Sequence, residues 1–135
     1  MAESIAVIAV IDDEPAVRRA LKRLLRSAGF EVHTYSGGAD FLEVAQRRPP
    51  DCVVVDIQMR PMDGFGILQR MKSQGIGAPA ILITAYETAE GDDRVSRSGA
   101  IGLLRKPFSD HALIEMVQVA LRVAHAEPRT TRPCP

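Results

Sequence analysis

The chain has no excess of either charge: 17 Lys and Arg stand against 17 Asp and Glu. The strongly basic balance of a nucleic-acid binder is therefore absent from the chain as a whole. No apolar run approaches the length of a membrane span. The first residues, Met1-Ala2-Glu3-Ser4, lack the basic n-region of a signal peptide. Two cysteines, Cys52 and Cys134, cannot build a disulfide framework, and Cys52, inside an apolar run, reads as a buried core thiol. The turn at Asp12-Asp13-Glu14-Pro15 has acids where a pyrophosphate cradle needs glycines, which argues against a nucleotide-binding dehydrogenase. These absences lead to the expectation of a cytoplasmic protein with no direct nucleic-acid contact and no membrane contact. What remains is ordinary for a folded domain. With 46% hydrophobic and 25% charged residues in 135, the chain can bury a core without staples, and disorder of the whole is excluded.

Strand-like and helix-like segments alternate from end to end. Ile5 to Ile11 is a β-branched apolar run that reads as a strand buried on both faces. Pro15 suits the first turn of a helix carrying Val17, Leu21, Leu24 and Leu25 on one side, and Gly29 stops it. Further strands are expected at Phe30 to Tyr35, Asp51 to Asp56, Ala80 to Thr84 and Ala100 to Leu104. Helices are expected at Ala39 to Gln46, Gly64 to Gln74 and Glu87 to Ser98, with a last one capped by Ser109 and running through Ala124. The Glu87 to Ser98 segment is polar, contains Gly91 and offers few apolar anchors. Residues 1–125 are expected to form one domain, and 126–135, rich in proline and threonine, a flexible tail. The alternation implies an α/β fold, a five-stranded parallel sheet with helices on both faces. Right-handed crossovers bring every strand's carboxyl end to one edge, where ligands bind in such sheets.

Chemistry-bearing residues stand at that edge. The first strand runs into Asp12-Asp13, the third ends at Asp56, the fourth at Thr84, and Arg105-Lys106-Pro107 follows the fifth. Singly, each has a plain reading as a helix cap, a strand residue or a solvated charge. Together, three carboxylates in one crevice repel one another unless a cation neutralises them. Hard oxygen ligands with room for waters suit Mg2+. A lysine and a hydroxyl beside them suit a phosphoryl group, and a carboxylate can be the nucleophile that accepts it.

With these motifs the chain, over residues 5 to about 124, resembles the receiver domain of bacterial two-component response regulators. The likeness is carried by Val10-Ile11-Asp12-Asp13-Glu14, by Val55-Asp56-Ile57-Gln58-Met59 running to Met62-Asp63-Gly64, by Thr84-Ala85 and by Lys106-Pro107-Phe108, in that order and spacing. The resemblance implies a flavodoxin-like (βα)5 fold with strand order 2-1-3-4-5 and a cis bond before Pro107. It implies that Asp56 is the phospho-acceptor. Asp13, Asp56 and the backbone carbonyl of Gln58 would ligate Mg2+ directly, and Asp12 through water. Thr84 would sense the phosphoryl group and Lys106 would pair with it. The implied donor is a histidine kinase or histidine phosphotransfer protein, and the implied output is contact with a downstream protein target, with homodimerisation as one form it takes. Too few residues follow position 124 for a DNA-binding domain, so the expectation is a stand-alone receiver.

Two departures from the family pattern stand out. In Met59-Arg60-Pro61 the usual proline is displaced by one place, which alters the path at Arg60. Arg60 is then either a solvated loop cation or a phosphate contact. Leu103 occupies the place, three before Lys106, where receivers often carry a switching aromatic, so the usual rotamer switch cannot operate in its usual form. Tyr86, two places after Thr84, is a candidate to shield the acyl phosphate or to share in switching. Two rivals stay open: a phosphorylation-independent adaptor with this fold, and a phosphohydrolase. The second is weakened by Gln58, which stands where such enzymes place a general acid.

Overall fold

β-Branched and aliphatic runs that are apolar at every position can sit only between two layers, and the chain uses them that way. The computed structural model describes residues 5–85 and 89–126. Its strands are β1 (Val7–Ile11), β2 (Glu31–Tyr35), β3 (Cys52–Asp56), β4 (Ala80–Thr84) and β5 (Gly102–Arg105), alternating with α1 (Pro15–Ser27), α2 (Gly38–Arg47), α3 (Gly64–Ser73), α4 (Ala89–Ser98) and α5 (Asp110–Ala126). All four strand pairings are parallel, in the order β2-β1-β3-β4-β5. The α/β expectation and the strand order both hold.

Successive strand residues point to opposite faces, and this divides the core in two. Ala9, Ile11, Val53, Val55 and Leu82 face α2 and α3, meeting Phe41, Leu42, Ile67 and Met71. Ile8, Val10, Val54, Ile81 and Ile83 face α1 and α5, meeting Leu21, Leu25, Leu113 and Val117. β3 and β4 are buried along their whole length, so each contributes to both cores. Cys52 is fully buried, and burial pushes its thiol up to about 12, as expected of an inert core residue.

The local signals act where the sequence places them. Gly29 takes φ +99° just beyond α1, a conformation that side chains disfavour. Asp63 caps α3 by accepting from the Gly66 N–H at 2.8 Å, and Ser109 caps α5 by accepting from the Ala112 N–H at 3.0 Å. Most boundaries lie within one or two residues of the expected ones, and two strand starts moved by two. β1 begins at Val7, where pairing with β2 starts, and Ile5 is left 62% exposed. β5 spans Gly102–Arg105 instead of Ala100 to Leu104, because its register sets Gly102 beside Ile81 and Arg105 beside Thr84. Tyr86, the start of the expected fourth helix at Glu87, and the tail beyond Ala126 lie outside the described residues. Among the described residues no helix is long and apolar enough to cross a membrane.

Candidate functional site

The parallel sheet delivers the expected side chains to one edge. Asp12 and Asp13 follow β1, Asp56 and Thr84 are the last residues of β3 and β4, and Lys106 follows β5. Asp12, Asp56 and Thr84 are buried, whereas Asp13 is exposed. Carboxylate oxygens of Asp12, Asp13 and Asp56 lie within 4.8 Å of one another. Lys106 Nζ donates to Asp12 Oδ2 and to Asp56 Oδ2, each at 3.2 Å, and stands 3.8 Å from Glu14 Oε1.

Short backbone bonds hold the acids in place. The Asp12 Oδ1 atom accepts from the Glu14 N–H at 2.9 Å, and Asp56 Oδ1 from the Gln58 N–H at 3.0 Å. Arg18 Nη1 donates to the Asp12 carbonyl at 2.7 Å, tying α1 to the turn that carries the acidic pair. The loop after β3 folds back so that the Gly64 N–H donates to the Ile57 carbonyl at 3.0 Å. A β-carbon at Gly64 would lie 2.8 Å from the Asp56 carbonyl oxygen, so only glycine fits.

Burial pushes the Asp56 carboxyl above the ordinary range, and the Asp12 charge adds to this. The Gln58 N–H and the Lys106 ammonium pull the other way without cancelling it. Burial alone would lower Lys106, but the Asp12 and Asp56 charges more than offset it and hold the ammonium above its usual value. A carboxyl raised on folding favours the folded state below the usual carboxylate range, and that contribution is lost as pH rises through the raised value. Asp56→Asn is therefore expected to melt at a higher temperature than the wild type near pH 7, the gap closing toward pH 4. Thermal unfolding followed across that range checks it.

At the other side of the edge, Thr84 Oγ1 donates to Gln58 Oε1 at 2.8 Å, and the Ala85 N–H approaches the same oxygen at 3.4 Å. The sequence reading gave Gln58 a backbone role and took its amide only as evidence against a general acid; its contact with Thr84 carries no sequence signature. The Lys106–Pro107 bond is cis as expected, and so is Arg60–Pro61, at the displaced proline. Arg60 is exposed, whereas Met59 is buried in the core against α2 and α3. Leu103 is half-buried and packs on that same core, as do Val95 of α4 and Ala100. α4 is also held by Arg94, whose guanidinium lies 4.1 Å from the Phe65 ring centroid and 3.9 Å from Asp63 Oδ2. Phe65 and Asp63 flank Gly64, so α4 is tied to the loop that leaves Asp56. A separate groove of 310 Å³ runs beneath α2 along the β2 edge and shares no residue with the acidic cluster.

The family model of the response regulator receiver domain matches residues 8–118. The chain belongs to that family. Receiver domains are the signalling modules of two-component systems; as a family they bind Mg2+ and interact with kinases and downstream effectors. This receiver is 37% identical over 121 residues to the transcriptional regulatory protein FixJ of Bradyrhizobium diazoefficiens, a match covering 90% of this chain and 58% of FixJ. It is 38% identical over 116 residues to the regulatory protein AtoC of Escherichia coli, covering 86% of this chain and 25% of AtoC. The chain thus spans about half the length, or less, of these curated relatives. The solved chemotaxis protein CheY4 of Vibrio cholerae superposes with a TM-score of 0.80 at 31% identity, covering 87% of this receiver and 100% of that chain.

Proposed function

We propose that this receiver is a phosphorylation switch in which Asp56 accepts a phosphoryl group from a phosphohistidine of a histidine kinase or phosphotransfer protein. The observation that carries the reading is Lys106 Nζ, 3.2 Å from both Asp12 and Asp56 within a cluster of three carboxylates. An ammonium and a buried acceptor carboxylate side by side fit the transfer of an anionic group, because the cation offsets charge on the incoming oxygens. A carboxylate oxygen of Asp56 attacks phosphorus, the donor's P–N bond breaks, and the imidazole leaves with its electron pair. The product is an acyl phosphate on Asp56.

The donor set fits Mg2+: the oxygens are hard, they lie within 4.8 Å of one another, and Asp13 is open to solvent, which leaves room for waters. Asp13, Asp56 and the Gln58 carbonyl would hold the ion, with Asp12 acting through water. The ion supplies charge neutralisation when bound. Thr84, at the end of the neighbouring strand, is the hydroxyl that would turn to the new phosphoryl oxygens, and Lys106 would pair with them. Thr84 stands beside Arg105 of β5 and Lys106 follows that strand, so their movement would bias the surface around β5 and α4 that meets a downstream protein. Leu103 has no ring or hydroxyl to flip, and the Arg94 contacts to Phe65 and Asp63 offer another mechanical link from the acceptor loop to α4. This is a signalling module rather than a turnover enzyme, since Gln58 supplies no acid or base for repeated hydrolysis.

Incubation with Mg2+ and acetyl phosphate, read by intact mass, tests the reading. One phosphoryl adduct is expected on the wild type, lost in Asp56→Asn and lost on chelation of the metal. An adduct of equal yield on Asp56→Asn would remove Asp56 from the acceptor role.

A further inference from the structure

Gln58 reaches the site from both ends. Its backbone N–H holds the acceptor carboxylate at Asp56 Oδ1, while its side-chain oxygen takes the Thr84 hydroxyl at 2.8 Å and faces the Ala85 N–H at 3.4 Å. The orientation of the amide is fixed by chemistry. A backbone N–H can only donate, so the atom it faces must be Oε1 and not Nε2. Two donors on consecutive residues thus converge on one partly negative oxygen, the arrangement that receives an anion's oxygen. Gln58 itself is an exposed loop residue.

We infer that the Gln58 side chain is a built-in stand-in for the phosphoryl oxygen, holding Thr84 and Ala85 in the unphosphorylated state and competing with the phosphoryl group for them. The inference rests on the reading of Asp56 as acceptor. Phosphorylation then exchanges one oxygen for another at the same donors, and the Gln58 amide must swing away before Thr84 can turn. The competition sets how much phosphoryl group, or mimic, is needed to switch the domain. A neutral amide oxygen is a weaker acceptor than a charged phosphoryl oxygen, so the exchange runs forward, but the lost Gln58 contact is subtracted from the gain.

Beryllofluoride with Mg2+ mimics the acyl phosphate and provides the probe. In nitrogen-15 spectra of unliganded protein, Gln58→Met, of similar length but without the acceptor, is expected to shift the Ala85 amide upfield. Gln58→Glu, which restores an acceptor oxygen at the same reach, is expected to return it downfield. The beryllofluoride midpoint of Gln58→Met should fall about two- to tenfold, the value of one exchanged hydrogen bond. An unmoved Ala85 amide, or a beryllofluoride midpoint equal to or above that of wild type, overturns the inference. If the wild type takes up no beryllofluoride at all, the phosphorylation reading falls and the competitor role with it; the Ala85 amide of the unliganded variants then shows separately whether Gln58 holds that N–H.

Discussion

Gly64→Ala is expected to cost about 3 kcal/mol of folding stability, at the upper end of the range for forcing an extra carbon into a packed site. The added β-carbon would sit 2.8 Å from the Asp56 carbonyl oxygen and 2.9 Å from Ile57 Cα. Both are backbone atoms at the end of a fully buried strand, so neither can yield as a side-chain tip would. The loop must move, and it carries Asp56 on one side and the Asp63 cap of α3 on the other. Urea titration should show a lower midpoint with an unchanged slope. Phosphoryl uptake from acetyl phosphate should fall even where the variant remains folded, because the geometry of Asp56, the proposed acceptor, shifts. Gly77→Ala is the control: open space surrounds that position, and the change should leave stability equal to wild type or about 0.5 kcal/mol higher through the unfolded chain.

Lys106→Met removes the one ammonium that lies between Asp12 and Asp56, whose side chains are 0% and 7% exposed. Two buried carboxylates are then left facing each other. The expected loss is about 2 kcal/mol near pH 7, below the usual 3–5 kcal/mol for a fully buried pair because Lys106 itself keeps 19% exposure. That loss measures the stranded carboxylates, not a net gain from the pairing in the wild type. The pH dependence has a definite sign. Asp56 is already raised in the wild type and rises further without the ammonium, so its contribution to stability is full below the ordinary carboxylate range and is lost as pH rises through the raised value. The variant should therefore approach wild-type stability in mild acid and fall away from it toward neutrality. Lys106 is raised as well, so the stability it lends the wild type is present through neutral pH and is lost as pH rises from the usual lysine value through its own raised one. The ammonium lies in the acidic cluster proposed to hold Mg2+, so the variant should bind the ion more tightly and recover most of its stability with it. Melting curves from pH 4 to 9, with and without Mg2+, check each part. Equal pH profiles for variant and wild type would show that Lys106 does not govern the Asp56 proton.

Much of this was legible in the sequence for one physical reason. A strand apolar at every position must lie between two layers, and a chain that alternates such strands with amphipathic helices closes into a parallel sheet. All strand ends then share an edge, so Asp12, Asp13, Asp56, Thr84 and Lys106 could be placed together although up to 94 positions separate them. β5 was placed less well. Ala100 and Ile101 are apolar enough to belong to a strand, and only pairing with β4 shows that the ladder begins at Gly102. Leu103 was recognised as a missing aromatic, but its half-buried place on the α2–α3 core follows from packing alone.

The sequence by itself determined the element order, the sheet class, the inert Cys52, the cap at Ser109, and the set of charged groups at the carboxyl edge of the sheet. Each depends on residue type, spacing or short-range backbone chemistry. The tertiary structure alone decided which oxygen each donor reaches. It set the Lys106 ammonium between Asp12 and Asp56, put Gln58 Oε1 before Thr84 and Ala85, buried Met59, and laid Arg94 over Phe65. These are contacts between residues remote in the chain, fixed to within an ångström by strand register and loop path. A pattern of residue types contains no distance, and hydrogen bonds and charges respond to distance above all.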